Sequence, residues 1–473
     1  MVPYGRKMED NVPIATVNPA TGQTVKTFDE LSEADLERRL AAAQAAHASY
    51  RLTSFDTRAG WMRRAGGILD DERDQIAAMM TTEMGKTLAA SKAEVAKCAA
   101  TCRYYADHAA GFLADEPADA KAVGAEKAYV SYQPIGPVLA IMPWNFPLWQ
   151  AMRFAVPALM AGNVGLLKHA SNVPQTALFM QDLFARAGFP EGTFQTLLIG
   201  SSRVEAVLRD RRVAAATLTG SEPAGQAVAA IAGDEIKKVV LELGGSDPFV
   251  VMPSADLQAA AQVGAVARCL NNGQSCIAAK RFIVHEAVYD TFERLFTEQM
   301  AAKRVGDPML DSTDVGPLAS EQQRDDVEKL VVDAVASGAK VLCGGAAPDQ
   351  PGFYYPPTVL AGITAEMRVH LEEVFGPVAT LYRVSDIDSA IELANVTSFG
   401  LGANAWTNDE QERSRFIRDL AAGMVFINGN VTSYPELPFG GVRRSGHGRE
   451  LSSHGIREFC NAKTVWIGAS GRG

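Results

Sequence analysis

The sequence is poor in cysteine and histidine, and the few that it has are scattered. Only 6 of its 473 residues are cysteine, 7 are histidine, and no two cysteines form a Cys-x-x-Cys pair. Closely spaced thiols and imidazoles build structural zinc sites, and dense cysteines build disulfide frameworks. We therefore expect no metal site and no disulfides, which is typical of a reduced cytoplasmic protein.

Long apolar runs and basic stretches are also lacking. No uninterrupted apolar run reaches the ~18 residues that a membrane-spanning helix needs. The opening residues, MVPYGRKMEDNVP, lack the apolar core of a signal peptide. The net charge is −10 and no long basic tract occurs, so neither nucleic acid nor a membrane is an expected partner.

The length and the alternation of elements predict an α/β protein with more than one domain. A chain of 473 residues is too long for one hydrophobic core, and ~150 residues per domain predicts two or three. Residues 30–115 have helical spacing with a predicted break at Gly85, and the tail NAKTVWIG has the composition of an edge strand. Residues 135–250 alternate short apolar strands with helices, and a second such set begins near residue 248. Such alternation is typical of parallel sheets, which bind ligands at the carboxyl ends of their strands.

Cys276 differs from the other cysteines in its local sequence, NNGQSC. An alanine-rich helix precedes this stretch, and Asn271, Asn272 and Gly273 favour the backbone conformation that ends a helix. A lone cysteine is most often a small buried hydrophobe, and we interpret Cys269, inside the helix, in that way. Beyond the helix end, free backbone amides near Cys276 could bind a developing oxyanion. Cys276 is therefore a candidate nucleophile.

Two other segments carry polar groups that suit the same chemistry. Glu242 ends the apolar text of LELGG, where burial would raise its proton affinity and suit a general base; a carboxylate paired with Lys or Arg is the alternative. In PWNFPLWQAMRF, Asn145 offers an amide donor and Pro147 is the predicted first residue of a helix. Trp149 and Arg153 then share one face of that helix, either as packing or as the wall of a tunnel with a cationic end.

The sequence evidence for a phosphate-binding segment is weaker than that for the catalytic residues. No GxGxxG follows a predicted strand. In LTGSEPAG, Gly220 and Ser221 open a predicted helix whose N-terminus could face a phosphate. An ordinary turn between a strand and a helix is equally compatible with this text.

Taken in order, the motifs PWNFP, LTGS, LELGG, NNGQSC and EEVFGPV resemble those of the aldehyde dehydrogenase superfamily. A weaker similarity, which includes LPFGGVRRSGHGREL, covers nearly the whole chain. Ser246 in LELGGSDP departs from many members, which carry Lys or Asn there. This form, together with KHAS, is similar to the bacterial succinate-semialdehyde dehydrogenases.

The resemblance implies a division of the chain into a Rossmann-like cofactor domain, an α/β catalytic domain and a small β oligomerisation unit. The implied ranges are 12–122 and 142–248 for the cofactor domain, 249–446 for the catalytic domain, and 123–141 and 455–473 for oligomerisation. The segments KAYVSYQP and TVWIG are rich in β-formers, and exposed strand edges favour pairing. Because the family pattern is a dimer or a tetramer, we expect a homodimer or a homotetramer.

The resemblance also implies a reaction in two stages. Cys276 attacks the aldehyde carbon as a thiolate, and Asn145 holds the oxyanion together with the amide of Cys276. Hydride passes to a nicotinamide, and water activated by Glu242 hydrolyses the thioester. A CoA-acylating relative would not need this base, and a non-catalytic structural homologue would need none of the three residues; both alternatives are therefore disfavoured.

The contacts with the cofactor are likewise implied by the resemblance. Gly220 and Ser221 bind the pyrophosphate, with Trp144 nearby, and Glu373 and Phe375 of EEVFGPV hold the ribose on the nicotinamide side.

The segment LLKHAS bears on the choice between NAD and NADP. In many relatives that use NAD, a Glu occupies the position of Ser171, where its carboxylate would repel a 2′-phosphate. Ser171 can donate a hydrogen bond, and Lys168 supplies positive charge. We therefore expect NADP to be preferred, with NAD as the alternative.

The substrate expected from this resemblance is succinate semialdehyde, an aldehyde with a carboxylate. Arg153 lies eight residues beyond Asn145, or ~12 Å along a helix, and could bind the carboxylate by two parallel hydrogen bonds. A Ser in the place of Ser433 helps to hold the carboxylate in similar enzymes. Ser275 and Trp149 are further predicted substrate contacts.

A broader specificity for aliphatic, aromatic or other semialdehyde substrates is the alternative. Trp149, Phe154 and Phe439 would then line an apolar tunnel, and Arg153 would be structural.

Overall fold

The structure, a computed structural model, describes residues 13–469. The opening stretch on which the signal-peptide prediction depends lies, except for its last residue, outside the described residues. The helices are α1 (Glu33–Tyr50), α2 (Phe55–Asp71), α3 (Arg73–Met84), α4 (Leu88–Phe112), α5 (Trp149–Ala161), α6 (Pro174–Arg186), α7 (Val204–Arg209), α8 (Glu222–Asp234), α9 (Leu257–Cys269), α10 (Glu286–Ala301), α11 (Glu321–Ala336), α12 (Arg368–Leu371), α13 (Ile387–Ala394), α14 (Glu410–Asp419) and α15 (Ser452–Glu458). The strands are β1 (Ile14–Asn18), β2 (Gln23–Phe28), β3 (Glu116–Pro117), β4 (Lys127–Pro134), β5 (Pro137–Met142), β6 (Val164–His169), β7 (Phe194–Thr196), β8 (Ala215–Thr219), β9 (Lys238–Glu242), β10 (Pro248–Val251), β11 (Arg281–His285), β12 (Lys340–Cys343), β13 (Thr358–Ala361), β14 (Val378–Val384), β15 (Gly402–Trp406), β16 (Met424–Ile427), β17 (Gly446–His447) and β18 (Cys460–Ile467).

The helical region predicted at 30–115 consists of α1 to α4. Local capping explains where these helices begin: the side chains of Ser32, Ser54 and Thr87 accept hydrogen bonds from the first turns of α1, α2 and α4. Gly85 ends α3 at a φ of 81°, a conformation that suits glycine. The break expected at Gly85 is confirmed.

The first large sheet has the strand order β17-β9-β8-β5-β6-β7. Strands β9 to β7 are parallel, and their apolar residues are buried on both faces. The chain runs from β5 outward to β6 and β7, then returns to the other side of β5 with β8 and β9. The gap between the ends of β5 and β8 is therefore a topological switch point, where such sheets bind ligands.

Two features of this sheet differ from the domain ranges expected from the sequence. Strand β5 lies in the middle of the sheet, although most of it falls within the range 123–141 that we had expected to belong to the oligomerisation unit. The end of the range 249–446 reaches β17, which pairs antiparallel with β9 so that Gly446 lies opposite Glu242. The chain thus returns to the first sheet late in its course.

The second large sheet has the order β12-β13-β14-β11-β10-β15-β16 and is parallel apart from the β12–β13 pair. Its face is packed with aromatic and small residues of β10, β11, α9 and α10. Together the two sheets confirm the predicted α/β class with parallel strands.

A third, antiparallel sheet has the order β18-β4-β3. Strands β4 and β18 pair along their whole length, from Lys127 opposite Ile467 to Pro134 opposite Cys460. The tail NAKTVWIG is therefore an edge strand, as the sequence predicts. Within residues 13–469, no helix is long and apolar enough to cross a membrane, and no cluster of His, Cys, Asp and Glu is arranged to hold a metal ion.

Candidate active site

The loop that carries Cys276 begins where α9 stops. Asn271, Asn272 and Gly273 have φ values of 55°, 58° and 78°, which end the helix as their sequence predicts. A Cβ on Gly273 would lie 2.3 Å from the backbone carbon of Gly376. Only a glycine fits there, so the loop lies directly against the EEVFGPV segment.

Hydrogen bonds hold this loop in place. The Asn272 side-chain amide donates to the carbonyls of Gly85 and Pro317, each at 2.9 Å. The Lys280 ammonium donates to the carbonyl of Cys276 at 2.8 Å and to that of Ser275 at 3.0 Å. The backbone around the thiol is therefore fixed both by distant segments, through Asn272, and by its near neighbour Lys280.

Asn145 lies beside the same loop. Its side-chain amide donates to the carbonyl of Gln274 at 3.1 Å, and the Asn271 amide donates to the carbonyl of Asn145 at 2.7 Å. An Asn side-chain nitrogen has two hydrogens, so one remains to bind an oxygen near Cys276.

The helix after Asn145 begins later than predicted. Pro147 lies in a turn and α5 begins at Trp149. The physical reason is a carboxylate from α4: Glu94 accepts the backbone N–H groups of Leu148 and Trp149, at 2.9 and 2.8 Å. An acidic side chain at a helix N-terminus is stabilising and sets the first turn here.

Glu242 ends β9 and is buried, with 2% of its surface exposed. Neither of its carboxylate oxygens has a hydrogen-bond partner among the described residues. Burial raises its pKa well above the usual range; the nearby Glu450 carboxylate adds to the rise, and Arg153 opposes it. A Cβ on Gly440 would lie 2.6 Å from an oxygen of Glu242, so the carboxylate packs closely against bare backbone. Residues 13–469 provide no ion pair for Glu242, contrary to the alternative interpretation of a strand-end salt bridge.

Cys276 is half-buried. Burial raises the pKa of its thiol to about 12, and the positive charges of Arg153 and Lys280 oppose the rise. The two cations therefore favour the thiolate, which is the nucleophilic form.

Cys276 lies where two cavities meet. The inner cavity, of about 250 Å³, is lined by Ala90, Ala93, Glu94, Lys97, Phe146, Trp149, Gln150, Arg153, Leu270, Asn271, Ser275, Cys276, Ile277, Asn430, Val431, Thr432, Ser433 and Phe439. The sheet-edge cavity, also about 250 Å³, is lined by Pro143, Trp144, Asn145, Gln150, Thr219, Gly220, Ser221, Glu242, Leu243, Gly244, Cys276, Gln323, Glu373 and Phe375. The thiol can thus be reached from both sides.

The sheet-edge cavity contains the residues expected to hold the pyrophosphate and the nicotinamide ribose. Gly220 and Ser221 lead into α8, and the Ser221 side chain is not used to cap that helix, which leaves its hydroxyl for a ligand. The rings of Trp144 and Phe375 meet edge to face with centroids 5.7 Å apart. These features fit a nicotinamide dinucleotide that enters at the switch point of the sheet.

Glu373 also lines the sheet-edge cavity. It forms a salt bridge with Lys280 at 3.3 Å, and burial raises the pKa of its carboxyl group against the effect of this lysine. A Cβ on Gly244 would lie 2.3 Å from a Glu373 oxygen, so this glycine makes room for the carboxylate.

Lys168 and Ser171 lie at the carboxyl end of β6, outside the lining of the sheet-edge cavity. Burial lowers the pKa of the Lys168 ammonium, and the nearby Glu30 carboxylate opposes this. Both residues are on the same edge of the sheet as the turns after β5 and β8, where a dinucleotide can extend.

The inner cavity is lined by the four predicted substrate contacts, Trp149, Arg153, Ser275 and Ser433. Their arrangement differs from the expectation in one respect. Arg153 forms a buried ion pair with Glu450 and lies over the ring of Phe439, 4.2 Å from its centroid. Its charge is therefore compensated within the protein, which was not expected of a partner for a substrate carboxylate.

Among the aromatic residues of the alternative tunnel, Trp149 and Phe439 line the inner cavity and Phe154 does not. The Phe154 ring packs on Phe459, with centroids 5.8 Å apart.

Three residues of the site were not singled out from the sequence. Lys97 lines the inner cavity, Glu450 pairs with Arg153, and Lys280 supports the Cys276 loop. Lys97 lies within an ordinary helical sequence, and Glu450 lies within the motif LPFGGVRRSGHGREL, where nothing indicated a pairing with Arg153. Only Lys280 could have been found from the sequence, because it lies four residues beyond Cys276.

These observations define the class of protein: the chain belongs to the aldehyde dehydrogenase family, whose model matches residues 6–465. It is 65% identical over 456 residues to succinate-semialdehyde dehydrogenase [NADP(+)] 1 of Mycobacterium tuberculosis, covering 96% of this chain and 100% of that protein. It is also 65% identical over 463 residues to succinate-semialdehyde dehydrogenase [NADP(+)] of Mycobacterium avium, covering 98% of each. The crystal structure of succinic semialdehyde dehydrogenase from Streptococcus pyogenes in complex with NADP+ superposes with a TM-score of 0.93 at 37% identity, covering 96% of this chain and 100% of that one.

Proposed function

We propose that the protein oxidises succinate semialdehyde to succinate, with NADP as hydride acceptor, through a covalent intermediate on Cys276. The observation that carries the proposal is the position of Cys276 at the junction of the inner and sheet-edge cavities. A substrate can contact the thiol from one side and a nicotinamide from the other. The mycobacterial relatives named above support this choice of substrate and cofactor.

In the first stage, the Cys276 thiolate adds to the aldehyde carbon. The positive charges of Arg153 and Lys280 favour this thiolate. The free hydrogen of the Asn145 amide and the backbone N–H of Cys276 stabilise the oxyanion, each contributing about 3 kcal/mol to the transition state. The remaining contacts of Asn145, to Gln274 and Asn271, orient its amide.

The cofactor is held by the residues of the sheet-edge cavity. Ser221 and the start of α8 would bind its phosphate oxygens, and Glu373 would accept hydrogen bonds from its ribose hydroxyls. A bound nicotinamide would supply the hydride acceptor for oxidation of the adduct on Cys276 to a thioester. Lys168 and Ser171 favour the 2′-phosphate of NADP by charge and by hydrogen bonding.

In the second stage, Glu242 acts as general base. It takes a proton from water, the water oxygen adds to the thioester carbonyl, and the C–S bond breaks to release the acid and the Cys276 sulfur. Burial without a partner raises the pKa of Glu242, which strengthens it as a proton acceptor. Its place at the sheet-edge cavity lets it approach the acyl group on Cys276.

We also propose that the protein is a cytoplasmic homodimer or homotetramer that binds small-molecule ligands and neither nucleic acid nor a membrane. All six cysteines are free thiols, which suits a reducing compartment. Strand β18 is at the edge of its sheet and exposes 54% of Trp466 and 42% of Ile467, a surface that suits pairing. Light scattering on the purified protein measures the subunit number.

The proposed reaction is tested with a panel of aldehydes and both cofactors. We expect the highest kcat/KM for succinate semialdehyde with NADP, no turnover by Cys276→Ser, and in Glu242→Gln an acyl adduct of Cys276 that can be detected by mass spectrometry. A wild-type enzyme that prefers neutral aldehydes would overturn the substrate, and normal steady-state turnover by Glu242→Gln would overturn the assignment of the base.

A further inference from the structure

Three charged side chains line the inner cavity, and two of them are neutralised within the protein. Glu94 pairs with Lys86, and it also accepts the two N–H groups at the start of α5. Arg153 pairs with Glu450. The third, Lys97, has no salt bridge among the described residues. The cavity therefore carries one uncompensated positive charge.

The Lys97 ammonium is held at a defined place in this cavity. It lies over the ring of Trp149, 4.2 Å from the centroid, and donates a hydrogen bond to the Ser433 hydroxyl at 2.6 Å. An ammonium has three hydrogens to donate, and these two contacts leave capacity for one more acceptor. The Ser433 hydroxyl, which accepts from Lys97, has its own hydrogen left to donate. Lys97 and Ser433 thus present two donors side by side.

We propose that Lys97, together with Ser433, binds the carboxylate of the substrate and is the residue that selects semialdehydes over neutral aldehydes. This inference rests on the proposed function. The two adjacent donors match the two oxygens of a carboxylate, and the aldehyde end then points toward Cys276 in the same cavity. Lys97 thus takes the role of carboxylate partner that was expected of Arg153. Arg153 already has Glu450 as its counter-ion, whereas Lys97 gains one only when an anionic substrate binds.

Arg153 then has a different task. It is the first of the positive charges that lower the pKa of Cys276, and it also opposes the rise of the pKa of Glu242. Glu450 holds its guanidinium in place, so the charge of Arg153 acts on the two reacting residues rather than on the far end of the substrate.

Burial also changes the pKa of Lys97. Burial and, to a lesser extent, the positive charge of Arg153 lower the pKa of Lys97 to about 8, while Cys98 and Glu94 act in the opposite sense. A bound carboxylate would offset this penalty, as expected for a cation that awaits an anionic ligand.

The test compares succinate semialdehyde with butanal, a neutral aldehyde of the same carbon number, in the full-length enzyme with NADP. We expect Lys97→Met to raise KM for the semialdehyde roughly 10- to 100-fold, with a far smaller change in KM for butanal and in kcat. Lys97→Arg keeps the charge and should restore most of the preference. Lys92→Met is the matched control on the same helix, since Lys92 pairs at the surface with Asp74, and it should change neither KM.

Two results would overturn the inference in distinguishable ways. If wild type prefers the semialdehyde and Lys97→Met keeps that preference, Lys97 is not the anchor although the proposed function stands. If wild type shows no preference for the semialdehyde over butanal, the proposed substrate is wrong and the inference falls with it. Ser433→Ala provides an independent variant should Lys97→Met fold poorly: it removes one donor and should raise only the KM for the semialdehyde, and an unchanged KM would count against the paired donors.

Discussion

The Lys280 ammonium donates a hydrogen bond to the backbone carbonyl of Cys276, with 2.8 Å between nitrogen and oxygen. Lys280 is 2% exposed and also contacts Glu373 at 3.3 Å. One buried cation therefore links the proposed nucleophile, whose pKa it lowers, to the carboxylate proposed to hold the cofactor ribose.

Lys280→Met should impair both functions at once. It leaves the partly buried carboxylate of Glu373 without its ion pair and the carbonyls of the Cys276 loop without their donor, which typically costs about 3 kcal/mol of stability. We expect a lower free energy of unfolding in urea, a higher KM for NADP and slower acylation. Lys329→Met, at an exposed surface pair, is the control; equal effects of both substitutions would contradict a specific role of Lys280.

The reactivity of Cys276 without cofactor should increase steadily with pH. Because its pKa is raised to about 12 by burial, the thiol form predominates at neutral pH, and the thiolate fraction grows about tenfold per pH unit below the pKa. Alkylation by iodoacetamide should therefore rise from about pH 7 to about pH 9 without a plateau. Cys276→Ser measures the background from the other thiols. A plateau near neutrality in the wild-type protein would show that the thiol ionises more readily than its burial indicates.

Gly440→Ala should slow deacylation. The added Cβ would lie 2.6 Å from a Glu242 oxygen, at a residue whose φ is +151°, so the carboxylate must move. A displacement near 1 Å can cost about 100-fold in rate. We expect the initial burst of reduced cofactor to persist while steady-state turnover falls. Gly111→Ala, where nothing lies within 4 Å of the added Cβ, is the control, and loss of the burst in Gly440→Ala would point to a fault before deacylation.

Ser171→Glu should reverse the preference for NADP. A carboxylate beside a bound 2′-phosphate costs several kcal/mol through repulsion, whereas the ribose hydroxyls of NAD can donate hydrogen bonds to the carboxylate. The ratio of kcat/KM for NADP to that for NAD should fall roughly 100-fold. Ser171→Ala, which removes the hydroxyl without adding charge, should change the ratio far less. An unchanged ratio in Ser171→Glu would remove Ser171 from cofactor selection.

The preference for semialdehydes over neutral aldehydes should decline at alkaline pH. The pKa of Lys97 is lowered to about 8, so the ammonium is present below that pH and lost above it. The groups that act on it are Arg153 from α5 and Cys98 and Glu94 from its own helix. The ratio of kcat/KM for succinate semialdehyde to that for butanal cancels the titration of Cys276, and it should fall by up to about tenfold per unit above the pKa. In Lys97→Arg the ratio should stay flat; a flat ratio in wild type would contradict the prediction.

Several features of the fold could be predicted from short stretches of sequence. The helix stop at Asn271 and Asn272, the break at Gly85 and the edge strand NAKTVWIG all depend on neighbours in sequence, and the structure confirms them. Strand β15, whose sequence is GANAW, was not predicted because its small and polar residues lack an apolar alternation. Its burial comes from its position inside the second sheet, which is set by other strands.

The site itself was predictable where the chemistry lies in a short motif, and not where it depends on distant pairs. Lys97 and Ser433 are separated by 336 residues, and the Arg153–Glu450 pair likewise joins remote segments. From its spacing to Asn145, Arg153 was predicted to bind the substrate carboxylate. Nothing in the neighbouring sequence indicates that Glu450 pairs with it. The late start of α5 has a similar cause, since Glu94 comes from another helix.

The pairing of β17 with β9 bears on how an active molecule arises during synthesis. Gly446, opposite Glu242, leaves the ribosome about 200 residues after it, or some 10–40 seconds later at typical translation speeds. The residues of the Cys276 loop are therefore synthesised before β9, which carries Glu242, can pair with β17. The proposed base therefore gains its complete surroundings only when nearly the whole chain has been synthesised.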